Sequence, residues 1–258
     1  MNGFIEYARE LLAGCTALGI KLVSYECVGS TNAEAKVYAA HAADHTPALF
    51  VAREQSAGRG RLGRSFLSPA GGIYMTLLYF THDALDCAVT VTTATAVAAA
   101  NAIRRVSGED VGIKWVNDIY NEQGKVAGIL VESLPVNDGY AVAVGIGINV
   151  GECDFAPEIR DIASSLGELD ATDRARLVLC LCGDVLKHAK DHANREYMSD
   201  YRKMFILQDK TVDVFVSGEP MLRGTVVGVD GDGGLMIQPE GENEIKTLSS
   251  GEITVRVV

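Results

Sequence analysis

Gly58-Arg59-Gly60-Arg61-Leu62-Gly63 has the spacing G-x-G-x-x-G, and Asp83 follows about twenty residues later, as a dinucleotide fingerprint asks. Taken as that fingerprint, the stretch would make the chain a doubly wound parallel α/β protein. The flanking residues argue otherwise. The last glycine must open a helix whose N-terminus faces a pyrophosphate, but Pro69, Ala70, Gly71 and Gly72 interrupt any helix, and a β-rich run over 73–80 follows. What remains is a flexible loop after a strand over 48–53, carrying Arg59, Arg61 and Arg64. Arginine presents a rigid fork of donors suited to phosphate oxygens, and neighbouring glycines let backbone N–H groups approach as well. A solvated basic loop is the plainer alternative.

Outward from this loop, the pattern is mixed α and β. Apolar spacing predicts a helix over 4–18 and a strand over 21–27 that ends in Val28-Gly29-Ser30-Thr31-Asn32. Ser30 or Thr31 is placed to cap the helix that follows. An alanine- and threonine-rich helix falls within 84–103, and from Val111 successive strands over 113–120, 125–134 and 140–150 read as an antiparallel meander. Gly145 and Gly147 lie inside the last of these, where glycine often marks close approach by a ligand or another backbone. A helix over 173–192 follows, with Cys180 and Cys182 read as core thiols. Beyond Ile206, five short strands (212–216, 224–229, 235–238, 244–248, 253–257) predict a small barrel-like β domain. The expected division is 1–208 and 209–258.

Composition bounds the function. With 258 residues, 48% apolar and 22% charged, the chain is neither disordered nor fibrous. Its 23 Lys+Arg against 34 Asp+Glu give a net charge of -11, which repels nucleic acid. One basic loop without interleaved aromatics is a poor nucleic-acid footprint, so a small phosphate-bearing ligand is preferred. The most apolar stretch, 84–103, is broken by Asp86 and Asn101, and Glu6, Arg9 and Glu10 stand where a signal peptide needs an apolar core. Six cysteines form no C-x-x-C pair. These features predict a reduced, cytoplasmic protein with no membrane span.

A second motif carries charge. In Lys114-Trp115-Val116-Asn117-Asp118-Ile119-Tyr120 and Lys125-Val126-Ala127-Gly128-Ile129-Leu130-Val131-Glu132, alternation across a hairpin brings Lys114, Asn117 or Asp118 near Lys125. A lysine stabilises developing phosphate or carboxylate charge, and an aspartate can hold a magnesium ion bridging phosphates. Taken singly, each also reads as a polar group decorating a turn.

Together with Ser30-Thr31-Asn32, Gln55, Ser68-Pro69, Gly71-Gly72-Ile73-Tyr74, Gly145-Ile146-Gly147-Ile148-Asn149-Val150 and Gly251-Glu252-Ile253, these motifs resemble the biotin–protein ligases, in the family's order from about residue 23 to the C-terminus. The resemblance implies an α+β fold: a mixed β-sheet with flanking helices, similar to the class II aminoacyl-tRNA synthetases, plus a small C-terminal SH3-like β-barrel. It implies that ATP, with Mg²⁺, activates biotin to biotinyl-5′-AMP, and that biotin is then transferred to a lysine of a biotin carboxyl carrier protein. Carried over residue by residue, Lys125, Arg59, Arg61 and Arg64 would be catalytic. Ser30, Thr31, Asn32, Gln55, Gly58, Arg59, Gly128, Leu130, Gly145 and Gly147 would bind biotin, the last two leaving room for its ring and chain. Arg61, Arg64, Lys114, Asn117, Asp118, Lys125, Asn149, Glu252 and Arg256 would serve ATP, with Asp118 at the metal.

The chain departs from the family at Val116, where proline is usual, and in having no tryptophan after Asn149 to stack on adenine; Phe155 lies in that stretch. The residues before the core are too few for the winged-helix DNA-binding domain of bifunctional members, so a monofunctional enzyme without nucleic-acid partners is expected, and a homodimer is left open. A lipoate–protein ligase-like enzyme is the nearest alternative, and a biotin-sensing transcriptional regulator the more remote one.

Overall fold

The computed structural model describes residues 2–82, 88–249 and 253–257. The larger sheet has seven strands in the order β1-β2-β3-β7-β6-β5-β4. Its strands are β1 (Lys21–Val28), β2 (Ala48–Gln55), β3 (Ile73–Thr81), β4 (Gly112–Lys114), β5 (Asp118–Asn121), β6 (Gly124–Val136) and β7 (Gly139–Ile148). β1 and β2 are parallel and every other pair is antiparallel. The expected mixed sheet and meander are therefore present. β3 and β7 are central and covered on both sides, which is why they are nearly continuous apolar runs.

Helices α1 (Asn2–Leu18), α3 (Ala88–Ser107), α4 (Ala171–Ala189) and α5 (Tyr197–Met204) share a core with one face of the sheet, through residues such as Leu11, Leu77, Ile103, Val144, Leu181 and Tyr201. The other face carries α2 (Thr31–His41), which sets Ala35 and Ala39 against Phe50, Leu78, Ala141 and Ala143. Alternation along the strands decides what lies beyond the start of α2. In register on that face come Phe50, Thr76, Gly145 and Leu130, and then Tyr74, Gly147 and Gly128. Small residues in these rows leave a hollow in front of the helix.

Strands β8 (Thr211–Val216), β9 (Glu219–Val229), β10 (Leu235–Pro239), β11 (Lys246–Leu248) and β12 (Ile253–Val257) form an antiparallel sheet in the order β11-β10-β9-β8-β12. Its buried Val212, Val214, Val226 and Leu235 belong to the same apolar core as Trp115 and Met204 of the larger part. The Trp115 indole N–H donates to Gly233 O at 2.8 Å, and the Arg202 guanidinium bonds Val229 O and Asp230 O.

Several local expectations are corrected. Residues 113–120 are not one strand: β4 and β5 pair antiparallel, with Lys114 opposite Asp118, and the chain reverses through 115–117, where the Trp115–Val116 peptide is cis. The anchored indole holds that reversal against the small sheet. Ser30 occupies the cap position of α2 but makes no capping side-chain bond; the orphan N–H of Thr31 is accepted by Gln55 Oε1 instead. Helix α5 went unread because it is short and Glu196 before it gives no capping bond. Cys182 is a core thiol, whereas Cys180 is only half-buried. The loop after β2 is folded on itself: Phe66 N–H donates to Gly58 O, Gly60 N–H to Arg64 O, and Gly63 takes a positive φ of 71° in the turn between.

Candidate active site

The hollow in front of α2 is a cavity of about 680 Å³, within the usual range for a small-molecule site. Its walls include Ser30, Thr31, Asn32, Gln55, Arg59, Arg61, Arg64, Lys114, Asn117, Asp118, Lys125, Gly128, Leu130, Gly145, Gly147, Asn149 and Arg256. Of the residues singled out from sequence, Gly58 lies behind the wall and Glu252 falls outside the described residues. A Cβ on Gly58 would meet Phe66 O at 2.3 Å and Ser68 Oγ at 2.6 Å, so this glycine lets the loop fold tightly.

One end of the cavity is closed and neutral. Ser30, Thr31, Asn32 and Ser68 are buried there. Gln55 Oε1 accepts from Thr31 N–H at 2.8 Å and from Thr31 Oγ1 at 3.1 Å, while Gln55 Nε2 donates to Ser68 Oγ at 2.9 Å. Fully buried Thr76, behind the wall, donates to Asn32 Oδ1 at 2.6 Å and approaches Thr31 Oγ1 at 2.8 Å. Gly145 and Gly147 line the cavity, and their lack of a side chain also makes room for side chains of the chain itself. A Cβ on Gly145 would lie 2.0 Å from Asn32 Oδ1, and one on Gly147 would lie 2.4 Å from the Phe66 ring.

The other end is cationic. Lys125 Nζ lies 2.7 Å from Asp118 Oδ1 and 5.9 Å from the Phe66 ring centroid. Lys114 Nζ stands over the Tyr120 ring at 5.1 Å. Burial draws the Lys114 ammonium below the usual lysine value; Asp118 opposes that shift and Lys125 adds to it. Arg61 leaves the folded loop to donate to Asn117 Oδ1 at 3.1 Å, and the Asn117 amide in turn donates to Ile129 O. Asn149 uses its amide on Ser164 O and Lys125 O, tying β6 to the segment that follows β7. Arg256 projects from β12 with its guanidinium 4.7 Å from the Phe215 ring.

Sequence reasoning missed Phe66, Thr76, Ile159 and Ile162, although it had noted Phe155. Phe66, Phe155, Ile159 and Ile162 supply apolar wall, the last two because Lys125 pairs with Ala163 in an isolated bridge. Phe66 had a faint signal, an aromatic just past the arginines; Thr76 had none, being one threonine in an apolar strand.

Residues 24–149 match the family model described as the biotin/lipoate A/B protein ligase family. A biotin–[acetyl-CoA-carboxylase] ligase of Mycobacterium tuberculosis is 30% identical over 257 residues, which cover 95% of this chain and 92% of that one. The chain belongs to the biotin/lipoate A/B protein ligase family. It spans 66% and 65% of the bifunctional ligase/repressors BirA of Salmonella typhimurium and Escherichia coli, to which it is 28% and 26% identical over 213 residues. Among solved structures, a biotin protein ligase from Aquifex aeolicus in complex with biotin and ATP superposes with a TM-score of 0.78 at 27% identity, covering 92% of this chain and 99% of that one. Within the family match fall the closed end, the arginine loop and both lysines; Arg256 lies beyond it.

Proposed function

We propose that this member of the family is a biotin–protein ligase: it joins biotin to ATP as biotinyl-5′-AMP with release of pyrophosphate, then transfers the biotinyl group to a lysine of a biotin carboxyl carrier protein with release of AMP. One observation carries this reading. A single cavity joins a neutral hydrogen-bonding end, suited to a buried urea ring, to an end lined by Lys114, Lys125, Arg61 and Arg64.

In the first step a biotin carboxylate oxygen attacks the α-phosphorus while the bond to the bridging oxygen of pyrophosphate breaks. Both reactants are anions, so fixed cations must offset their repulsion and the charge that gathers on the equatorial oxygens. Lys125 stands in reach of both, and Asp118 holds its ammonium until the substrates arrive. Lys114, Asn117, Asn149 and Arg256 serve the nucleotide, and Glu252, outside the described residues, is assigned the same role. Arg59, Arg61 and Arg64 cover the adenylate, and Ser30, Thr31, Asn32, Gln55, Gly128 and Leu130 hold the ring and chain. In the second step the carrier amine attacks the acyl carbon and the phosphate oxygen of AMP leaves. Excluding water between the steps protects the mixed anhydride.

Asp118 is a lone carboxylate already touching Lys125, and the described residues hold no cluster of three or more metal-ligating side chains. That donor set fits a magnesium ion that arrives on the triphosphate and takes one carboxylate, since magnesium keeps waters and phosphates rather than a protein cage. Such an ion supplies further charge neutralisation.

We assign 1–208 to catalysis and 209–258 to an accessory SH3-like barrel, place the reaction in a reducing cytoplasm, and expect no nucleic-acid partner; a homodimer fits this reading. No helix among the described residues is long and apolar enough to cross a membrane. The test is incubation with ATP, Mg²⁺, biotin and an apo carrier domain, with lipoic acid in a parallel arm. Pyrophosphate release and a biotinylated carrier are expected. Lipoyl transfer without biotinyl transfer would replace this reading with the lipoate alternative.

A further inference from the structure

Behind the closed end of the cavity lies a polar chain whose direction is set by one carboxylate together with the Leu130 carbonyl. Glu132, on β6, receives Lys36 Nζ on Oε1 at 2.6 Å and Asn32 Nδ2 on Oε2 at 2.9 Å. Burial opposes its ionisation, but the hydrogen bonds from Lys36 and Asn32, together with the charges of Lys36 and Arg59, outweigh burial and hold its carboxyl below the usual glutamate range. Ionised, it accepts and cannot donate. Asn32 must therefore turn its NH₂ toward Glu132 and Leu130 O, leaving Oδ1 toward Thr76. The one proton of Thr76 is drawn to Asn32 Oδ1 and Thr31 Oγ1, and the one proton of Thr31 runs to Gln55 Oε1. The Thr76 and Thr31 protons are both taken within this network. At the cavity wall Thr31 can only accept.

We propose that Glu132, held by Lys36, is a positioning residue that keeps Thr31 Oγ1 an acceptor toward the ligand, so that the closed end selects acids whose ring brings an N–H donor over acids that bring none. Glu132 and Thr76 do not line the cavity and act through Asn32 and Thr31. The proposal rests on the biotin reading, because a cyclic urea supplies such N–H groups whereas a dithiolane or a plain alkyl chain supplies none. A buried acceptor facing a ligand without a donor is left unpaired, which disfavours that ligand strongly.

The pair makes an unusual prediction. In Glu132→Gln, the ammonium of Lys36 still demands an oxygen, so the glutamine turns its NH₂ toward Asn32. Asn32 then flips, its NH₂ donates to Thr76, and the Thr76 proton passes wholly onto Thr31 Oγ1, using a lone pair meant for the ligand. KM for biotin should rise about tenfold, with kcat changed by less than about twofold and KM for ATP unmoved. Adding Lys36→Met frees the glutamine to present its oxygen to Asn32, so the double variant should recover most of the loss. A role in folding alone predicts losses that add. The same variants assayed with octanoic acid, which has no ring donor, should narrow the preference for biotin in Glu132→Gln and restore it in the double variant. Unchanged KM for biotin in Glu132→Gln, or a double variant worse than Glu132→Gln, overturns the proposal while leaving the ligase reading intact. Absence of pyrophosphate release by the unsubstituted protein with biotin and ATP overturns both.

Discussion

The two ends of the cavity are built on opposite terms. At the closed end the polar groups are buried, Thr31, Asn32 and Thr76 at 3%, 4% and 0% exposure, and are already bonded to one another before any ligand arrives. At the cationic end Lys125 and Asp118 keep roughly a quarter of their side-chain surface, and Arg64 is exposed on a loop. A neutral ring is recognised by donors and acceptors whose directions are fixed in advance, because an unpaired buried polar group costs about 1–3 kcal/mol. Two anions are brought together by charge, which acts over several ångströms and tolerates movement. Order therefore belongs to one end and adaptability to the other.

The contrast breaks first at Lys125. Lys125→Ala should lower adenylate formation by about 10²–10³-fold, the usual scale for removing a group that stabilises transition-state charge, while calorimetry still finds biotin bound in the absence of ATP. Near-normal pyrophosphate release would remove Lys125 from the chemistry. Gly145→Ala attacks the ordered end: its Cβ collides with the clamped Asn32, so unfolding in urea should register a loss of about 1–3 kcal/mol together with weakened biotin binding. Gly147→Ala should cost less, since the Phe66 ring belongs to a partly exposed loop and can turn aside. Equal losses at the two glycines would mean that the closed end is not the more rigid one.

Arg61→Ala should shorten the lifetime of enzyme-bound adenylate by about tenfold, the scale of one charge-assisted hydrogen bond, with little change in its rate of formation. A chase with unlabelled biotin measures that lifetime, and an unchanged value would deny the loop a covering role. The smallest effect concerns pH. Because burial lowers the Lys114 ammonium below the ordinary value near 10.4, its charge is lost at lower pH than that of a free lysine. The alkaline limb of kcat/KM for ATP should fall below that ordinary value and move upward in Lys114→Arg. Biotin binding alone should not follow it.

Much of this was legible along the chain. Apolar runs and turn residues located β2, β3, β6 and β7 to within about two residues; for β3 and β7 this is because a strand buried on both faces leaves no choice but a continuous apolar sequence. The arginine loop, the two lysines and Gln55 stood out as charged or polar groups in glycine-rich surroundings. Thr76 and Glu132 did not: a threonine in an apolar strand and a glutamate near a strand end look the same whether they face water or Asn32. Residues 113–120 were misread as one strand because the anchor that reverses them, Gly233, is more than a hundred positions away.

By itself the sequence determined most of the elements, the alternation along the long strands and the charge gathered around two loops, since these depend on neighbours a few positions apart. Only the folded chain decided that Gly145 admits Asn32 and Gly147 admits Phe66, that Asp118 meets Lys125, and which way the protons point between Glu132 and Thr31. Those outcomes depend on contacts among α2, β3 and β6, whose direction local residue preferences do not encode.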